Sequence, residues 1–414
     1  MSNRFTREDR RITTLMVVAG FVQAFAGSLL IVTVAFSRIE FDLTEGQFSW
    51  ILAIIRLGSF TAVAYGIWGD RLGRRRPLLL AFLTILVANV ATAFAPGIVV
   101  FTILQGITRA ASGAVAALAI VYLAEEVSPH IRSFSMGIWG VAGSLAGGLA
   151  FLLAPAFDEP LDRWRWLFAL SAIGLIAYPL LARFLTESRA FERPTEQPPV
   201  LEVVTGETGR FFWPLALALF AVGAFSGPAV SFASDHLIND LNWTVLSSSL
   251  TIISAGALGA TGLLIGGRAA DLWGRRPVIV VGMVLGAFGG AAFYWGDGTI
   301  LIVWIVIGSF GSSIFVPAVA SLRSELFPTR NRVVAGALLS AISVSGAILS
   351  LAIGGYTIDR WGLPATVTVL AVMAAAAAPL ILMLPETKGR VLHHEPAVPA
   401  PAQKAVQVVD TPKS

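Results

Sequence analysis

The sequence has no cysteine, only four histidines, and little charge: Asp, Glu, Lys and Arg make up 13% of its 414 residues, about half of the roughly 25% usual in soluble proteins. Without thiols there is no disulfide framework, thiolate metal site or cysteine nucleophile. So few charges could not cover the surface of soluble domains, and the 56% hydrophobic content with a mean hydropathy of +0.78 describes a chain solvated by lipid. The high isoelectric point does not mark a nucleic-acid surface, because 29 basic against 25 acidic residues leave only +4. Also absent are a His-Glu-x-x-His pair, a phosphate loop and a nucleophile elbow. A membrane enzyme or sensor is therefore disfavoured, and no metal or cofactor is expected.

What the chain does have is apolar runs of the length that crosses a hydrocarbon core of roughly 30 Å. We read twelve: Thr13 to Phe36, Gln47 to Trp68, Pro77 to Ala95, Ile98 to Ala124, Ser135 to Phe157, Trp166 to Leu185, Phe212 to Phe232, Thr244 to Gly267, Pro277 to Trp295, Ile300 to Leu322, Val333 to Ile358 and Pro364 to Leu384. Lipid offers no partner for a free backbone N–H or C=O, and the runs lack a barrel's alternation, so each is expected to be a helix. The first is too long for a signal-peptide core and is kept as a span. With both termini in the cytoplasm, only Arg38, Arg163, Arg165 and Arg360 would lie outside, as the positive-inside rule requires. Trp50, Trp164, Trp166, Trp243, Trp295 and Trp361 would then mark the outer boundary, and Trp68, Trp213 and Trp273 the inner one.

The loops repeat. Gly69 to Pro77 reads GDRLGRRRP after span 2, and Ala270 to Pro277 reads ADLWGRRP after span 8; Glu126 to Arg132 after span 4 is echoed by Glu325 to Arg332 after span 10; span 6 ends LTESR and span 12 ends LPETKG. The chain is thus expected to comprise a cytoplasmic segment (1–12), a six-helix half (13–185), a Pro-rich cytoplasmic linker (186–211), a second six-helix half (212–385) and a disordered tail (386–414).

These features resemble the major facilitator superfamily of transporters, most specifically in the D-x-x-G-R-R loop repeated in both halves. The TESR and PETKG ends are similar to the sugar-porter and metabolite (aromatic acid)–proton symporter branches. The resemblance implies an all-α membrane protein of twelve helices in two pseudo-symmetric halves that rock about a central site lined by spans 1, 4, 7 and 10. It also implies a gating latch in the loops: Gly69, Asp70, Gly73, Arg74, Arg75, Glu126 and Arg132, with Asp271, Gly274, Arg275, Arg276, Glu325 and Arg332 as the second-half counterparts. Carboxylates beside arginines form charge-assisted bonds, although the arginines also serve as the topology signal.

The runs themselves contain no Asp or Glu, yet they contain Arg56 and Arg109. A guanidinium at such depth costs at least a few kcal/mol and normally marks a polar cavity. Snorkelling or bonds to carbonyls would suit Arg56; Arg109 is deeper, with Gln105 one turn away. An unpartnered cation is complementary to an anion, which it can grip by a bidentate fork. Gln23, Ser226, Ser309, Ser312 and Ser313, with Phe225 and Phe315 as walls, are further candidates; small-residue helix packing explains each equally well.

The reading is a secondary active transporter of a small organic solute, an anionic metabolite such as a carboxylate, working by proton symport or anion exchange. Its partners are the lipid bilayer, the substrate and, under symport, a proton; the expected form is a monomer in a bacterial inner membrane. No acid lies in spans 1 or 4 to carry a proton, Asp235 and His236 lie at loop edges, and span 7 lacks the glutamines of sugar porters. Drug–proton efflux is the alternative: Gly143, Gly147 and Gly148 keep the spacing of an antiporter motif, but Ser144 stands at its proline.

Overall fold

A computed structural model describes residues 6–61, 65, 68, 73–128, 131–158, 161–187, 200–205, 209–327 and 329–388. They form helices joined by short turns, with no strand among them. Eleven helical stretches are long and apolar enough to cross a membrane, and they correspond to eleven of the twelve expected spans. The remaining one, span 2, is described as a helix over Glu45–Leu57 and a 3-10 turn over Gly58–Thr61, beyond which most of its run lies outside the described residues.

Several spans outlast their apolar runs, span 8 for instance continuing past Gly267 to Trp273, and the ends of spans 1 and 7 show why. The first helix, Arg7–Val32, starts six residues ahead of its apolar run because Thr6 and Asp9 close a reciprocal capping box. Asp9 also accepts from the Ser128 N–H at 3.0 Å, tying the start of span 1 to the end of span 4. The run breaks at Thr33 and continues as Val34–Glu40, where the Thr33 and Ser37 hydroxyls bond back to carbonyls one turn earlier, each at 2.8 Å. Span 7 runs the other way: after Gly209–Ser231 the chain stays helical through Ala233–Asp235 and a π turn over His236–Asp240. The helix therefore outlasts the apolar run, and Asp235 and His236, expected at loop edges, are buried.

The packing repeats between the halves as the loops do. Span 1 lies on span 5 and span 3 on span 4; likewise span 7 lies on span 11 and span 9 on span 10. Across the halves, span 2 meets span 11 and span 5 meets span 8. At the end carrying the basic loops each half has its own apolar core, around Phe82 and Tyr122 in the first and Phe212 and Phe327 in the second. At the opposite, acidic end a single core holds residues of both halves, among them Phe48, Trp164, Phe232 and Leu351. The halves are joined there. Trp164, expected at the lipid boundary, belongs to this core: it is fully buried and its indole N–H donates to Glu40.

Spans 9 and 10 approach backbone to backbone. A β-carbon on Gly289 would lie 2.4 Å from the Gly308 nitrogen, and one on Gly311 2.4 Å from that of Gly286. In lipid, where apolar burial does not drive helices together, such closeness supplies the dispersion and weak polar contacts that do. Gly311→Leu is expected to force the pair apart at a cost of about 1–3 kcal/mol, read as a lower midpoint in detergent unfolding; an unchanged midpoint would contradict the contact.

Candidate functional site

At the basic end the two halves build the same device. Gly73 and Gly274 have φ of +94° and +105°, a region that a side chain occupies only with strain. A β-carbon there would also strike the carboxylate of Glu187 in the first half and of Glu386 in the second. Each glutamate, from the end of span 6 or span 12, accepts the backbone N–H groups that open span 3 or span 9: those of Arg74 and Arg75 for Glu187, and those of Arg275 and Arg276, at 2.8 and 3.1 Å, for Glu386. An anion there satisfies orphan donors and meets the positive end of the helix dipole. Burial pushes the Glu386 carboxyl up, but the N–H groups of Arg275, Arg276, Thr387 and Lys388 outweigh it and hold it below the usual carboxylate range.

The first arginine of each loop reaches the end of a neighbouring span. Arg74 pairs with Glu125 at 3.1 Å; Arg275 pairs with Glu325 at 3.0 Å and with Asp271 at 2.9 Å. The second arginines, Arg75 and Arg276, donate to span-end carbonyls, Arg75 to Ala182 and Leu185 and Arg276 to Leu382. Arg74 thus bonds Glu125, one residue before the Glu126 singled out from the loop motif; the helix of span 4 continues to Glu126 and turns its penultimate residue toward span 3. Gly69 and Asp70, and the side chains of Arg132 and Arg332, lie outside the described residues.

In the interior, Arg56 and Arg109 line one cavity of about 30 Å³ with Gln105, Ser112 and, from the second half, Ser231. Arg56 donates to the Ser231 hydroxyl at 2.9 Å and to the Gly227 carbonyl at 3.4 Å; Arg109 donates to the Ser59 hydroxyl at 3.2 Å. Neither meets a carboxylate among the described residues. Of the other candidates, Gln105 turns to span 3, donating to Asn89 and Thr92, and Gln23 donates to Ser112 at 2.7 Å. Ser226 is spent on the Gly223 carbonyl of its own helix.

The second-half candidates divide. Ser309, Ser312 and Phe225 line a larger cavity of about 330 Å³ that also touches Ile31, which it shares with the arginine cavity. Ser313 and Phe315 instead sit where glycines of spans 8 and 9 pack closely on span 10, against Gly262 and Gly282. Sequence reasoning missed Asn89, Ser59 and Ser231. Asn89 was legible as the one amide inside the span 3 run; a serine in an apolar helix carries no comparable signal.

Where the halves meet at the acidic end, charge is again paired. Arg38 of the first half bonds Asp235 of the second at 2.9 Å, and Asn239 bridges Asp235 to the Ala35 carbonyl. Asp359 accepts from the Thr44 hydroxyl at 2.9 Å and the Gly46 N–H at 3.0 Å, at the start of the span 2 helix. His236 sits on Asp240 at 2.7 Å. Glu45, two residues ahead of the span 2 run, faces this group. Burial, then Asp240 and Asp235, and further Asp359, push its carboxyl up to about 7, while Arg38 opposes them.

Comparison with known proteins agrees with this architecture. The sequence profile described as Major Facilitator Superfamily matches residues 16–262 and 215–413. The chain is 34% identical over 172 residues to the inner membrane transport protein YnfM of Escherichia coli K12, covering 39% of this chain and 38% of that protein. It is 26% identical over 197 residues to the mouse putative transporter SVOPL, covering 46% of this chain and 38% of that one. These matches span less than two-fifths of either relative's length. A crystal structure of a D-xylose–proton symporter superposes with a TM-score of 0.77 at 18% identity, covering 93% of this chain and all of that one. An inward-facing, occupied bacterial homologue of the human lysosomal transporter Spinster superposes with a TM-score of 0.75 at 13% identity, covering 92% and 97%.

The acidic-end cluster has a pH dependence with a definite sign. Three of the carboxylates that help raise the Glu45 pKa, Asp240, Asp235 and Asp359, belong to the second half, so parting the halves is expected to lower it and its protonation to favour closure. That contribution is fully present below the ordinary value of 4.5 and is lost as pH rises through about 7. Spin labels on cysteines introduced at the exposed positions 163 and 361 of this cysteine-free chain are expected to move closer as pH falls across that window, and Glu45→Gln to remove the response. A separation independent of pH in the unmutated protein would refute it.

Proposed function

Because the chain belongs to the Major Facilitator Superfamily, we propose that it is a secondary active transporter that carries a small organic anion, of the carboxylate class, across a bacterial inner membrane. Both termini are placed in the cytoplasm, so the basic end faces inward and the acidic end outward. The observation that carries the reading is the pair Arg56 and Arg109: two guanidiniums on one interior cavity, bonded only to hydroxyls and a carbonyl among the described residues. Two cations held together out of water repel each other, and an anion between them relieves both the repulsion and the lost hydration. A carboxylate suits the planar forks of arginine better than a neutral or cationic solute does.

The halves rock about this cavity. The cavity reaches from span 4 across to span 7, and Arg56 bonds directly to span 7, so a solute bound here touches both bodies that move. The paired loops at the basic end act as the gating elements, each holding its half's span ends in one arrangement through Arg74–Glu125 or Arg275–Glu325. Coupling to a proton or to a counter-anion both fit this frame. The likeness to the D-xylose–proton symporter structure does not extend to a sugar here: span 7 has no glutamine. Two of the three antiporter-like glycines of span 5 have a packing explanation, Gly143 against Ala24 and Gly147 against Ser28 of span 1, whereas a β-carbon on Gly148 would meet open space.

Uptake into proteoliposomes of a carboxylate identified by thermal-shift screening tests the substrate class. Arg109→Gln is expected to lower uptake at least tenfold, the loss of one charge-assisted pair of about 1.5–3 kcal/mol, with insertion unchanged; uptake at the wild-type rate would overturn the proposal. For the gating loops, Asp70→Asn should leave protein in the membrane yet slow transport severely, and wild-type flux would remove the latch.

A further inference from the structure

The interior holds two adjoining cavities of different character, and their division of labour bears on what the anion looks like. The arginine cavity, about 30 Å³, takes one or two water-sized groups, enough for the oxygens of a single carboxylate and too little for a whole metabolite. The neighbouring chamber, about 330 Å³, falls within the size range of small-molecule sites. Ile31 of span 1 lines both, and on span 7 Ser231 lines the first while Val230 and Ser234 line the second. One elongated solute can therefore occupy the two together.

The walls of the chamber are mainly apolar. Phe151 of the first half faces Phe225, Phe293 and Tyr294 of the second. The Tyr294 hydroxyl is already spent on the Ala229 carbonyl at 2.7 Å, which leaves the hydroxyls of Ser234, Ser309 and Ser312 as the polar side-chain groups there. A polyol would lose more hydration in this chamber than those hydroxyls replace, whereas an apolar body gains by leaving water. The space depends on Gly290. A β-carbon at that position would lie 2.5 Å from the Phe225 ring, so glycine lets the ring lie back against span 9, and any side chain there would drive it into the chamber.

Building on the proposal that Arg109 holds an anion, we infer that the substrate is an amphiphilic organic monoanion: a single carboxylate head between Arg56 and Arg109, and a compact apolar body in the chamber behind Ile31, with the Phe225–Gly290 contact setting how large that body can be. Each further 60 Å² or so of apolar surface buried there corresponds to roughly a tenfold gain in affinity. A plain two-carbon acid would fill the head site alone.

Binding to the purified full chain in lipid nanodiscs, followed by intrinsic tryptophan fluorescence, tests this with acetate, cyclohexanecarboxylate and its neutral amide. Cyclohexanecarboxylate is expected to bind at least tenfold more tightly than acetate, and the amide at least tenfold more weakly than the acid. In Gly290→Ala the ratio of cyclohexanecarboxylate to acetate affinity should fall at least threefold; Phe225→Leu, which removes the ring instead, should raise it. Ratios are unaffected by the fraction of protein that folds. Equal affinities for the two acids, both lost in Arg109→Gln, would overturn the apolar-body inference and leave the anion reading standing. Equal binding of acid and amide, or no binding by any of the three, would overturn both.

Discussion

A charge withdrawn from water must meet an opposite charge or a set of aligned dipoles, and this constraint orders most of the charged groups among the described residues. At the basic end, Glu187 and Glu386 rest on helix N-termini while Glu125 and Glu325 rest on arginines. At the acidic end, Asp235 and Asp359 are satisfied across the boundary between the halves. Against that background Arg56 and Arg109 stand out, because hydroxyls and a carbonyl compensate a guanidinium only partly. Among the described residues these two central cations are incompletely compensated, and in a folded chain such a cost persists where function uses it.

The duplication accounts for the economy of the fold. One ion-pair device, one glycine in the left-handed region and one glutamate cap were sufficient for a half, and the second half repeats them; there Asp271 also pairs with Arg275, and Lys388 bonds the Leu272 carbonyl. The motif that looks like a string of basic residues is, physically, a helix start whose anion arrives from a distant part of the chain. That explains why the loop after span 2 and the end of span 6 carry matched signatures although more than a hundred residues separate them.

How much of this could be read beforehand depended on how local the cause was. Span existence, the paired loops and the two interior arginines were legible because hydropathy and charge act residue by residue. The partners were not: Glu125 as a partner of Arg74, Asn89 as a partner of Gln105, and Ser231 as a contact of Arg56 all depend on helix rotation, which composition does not record. Helix ends failed where hydropathy and hydrogen bonding disagree. Span 7 runs on past Phe232 into Asp235 and His236 because the π turn keeps the backbone bonded after the apolar run has ended. Trp164 was misplaced for a related reason, since an indole suits a lipid boundary and a core beside a carboxylate equally well.

The uneven distribution of the apolar cores has a mechanical and energetic consequence. At the basic end the described parts of the two halves each keep a private core, so parting them there uncovers little that was dry. At the acidic end they share one, and parting them would hydrate Phe48, Phe232 and their neighbours at once. The two open forms of such a molecule differ in free energy before any solute arrives. On the proposed transport cycle, an empty protein is expected to rest open toward its basic side, and the work of exposing the other side to fall to whatever binds, or to the gradient that drives it.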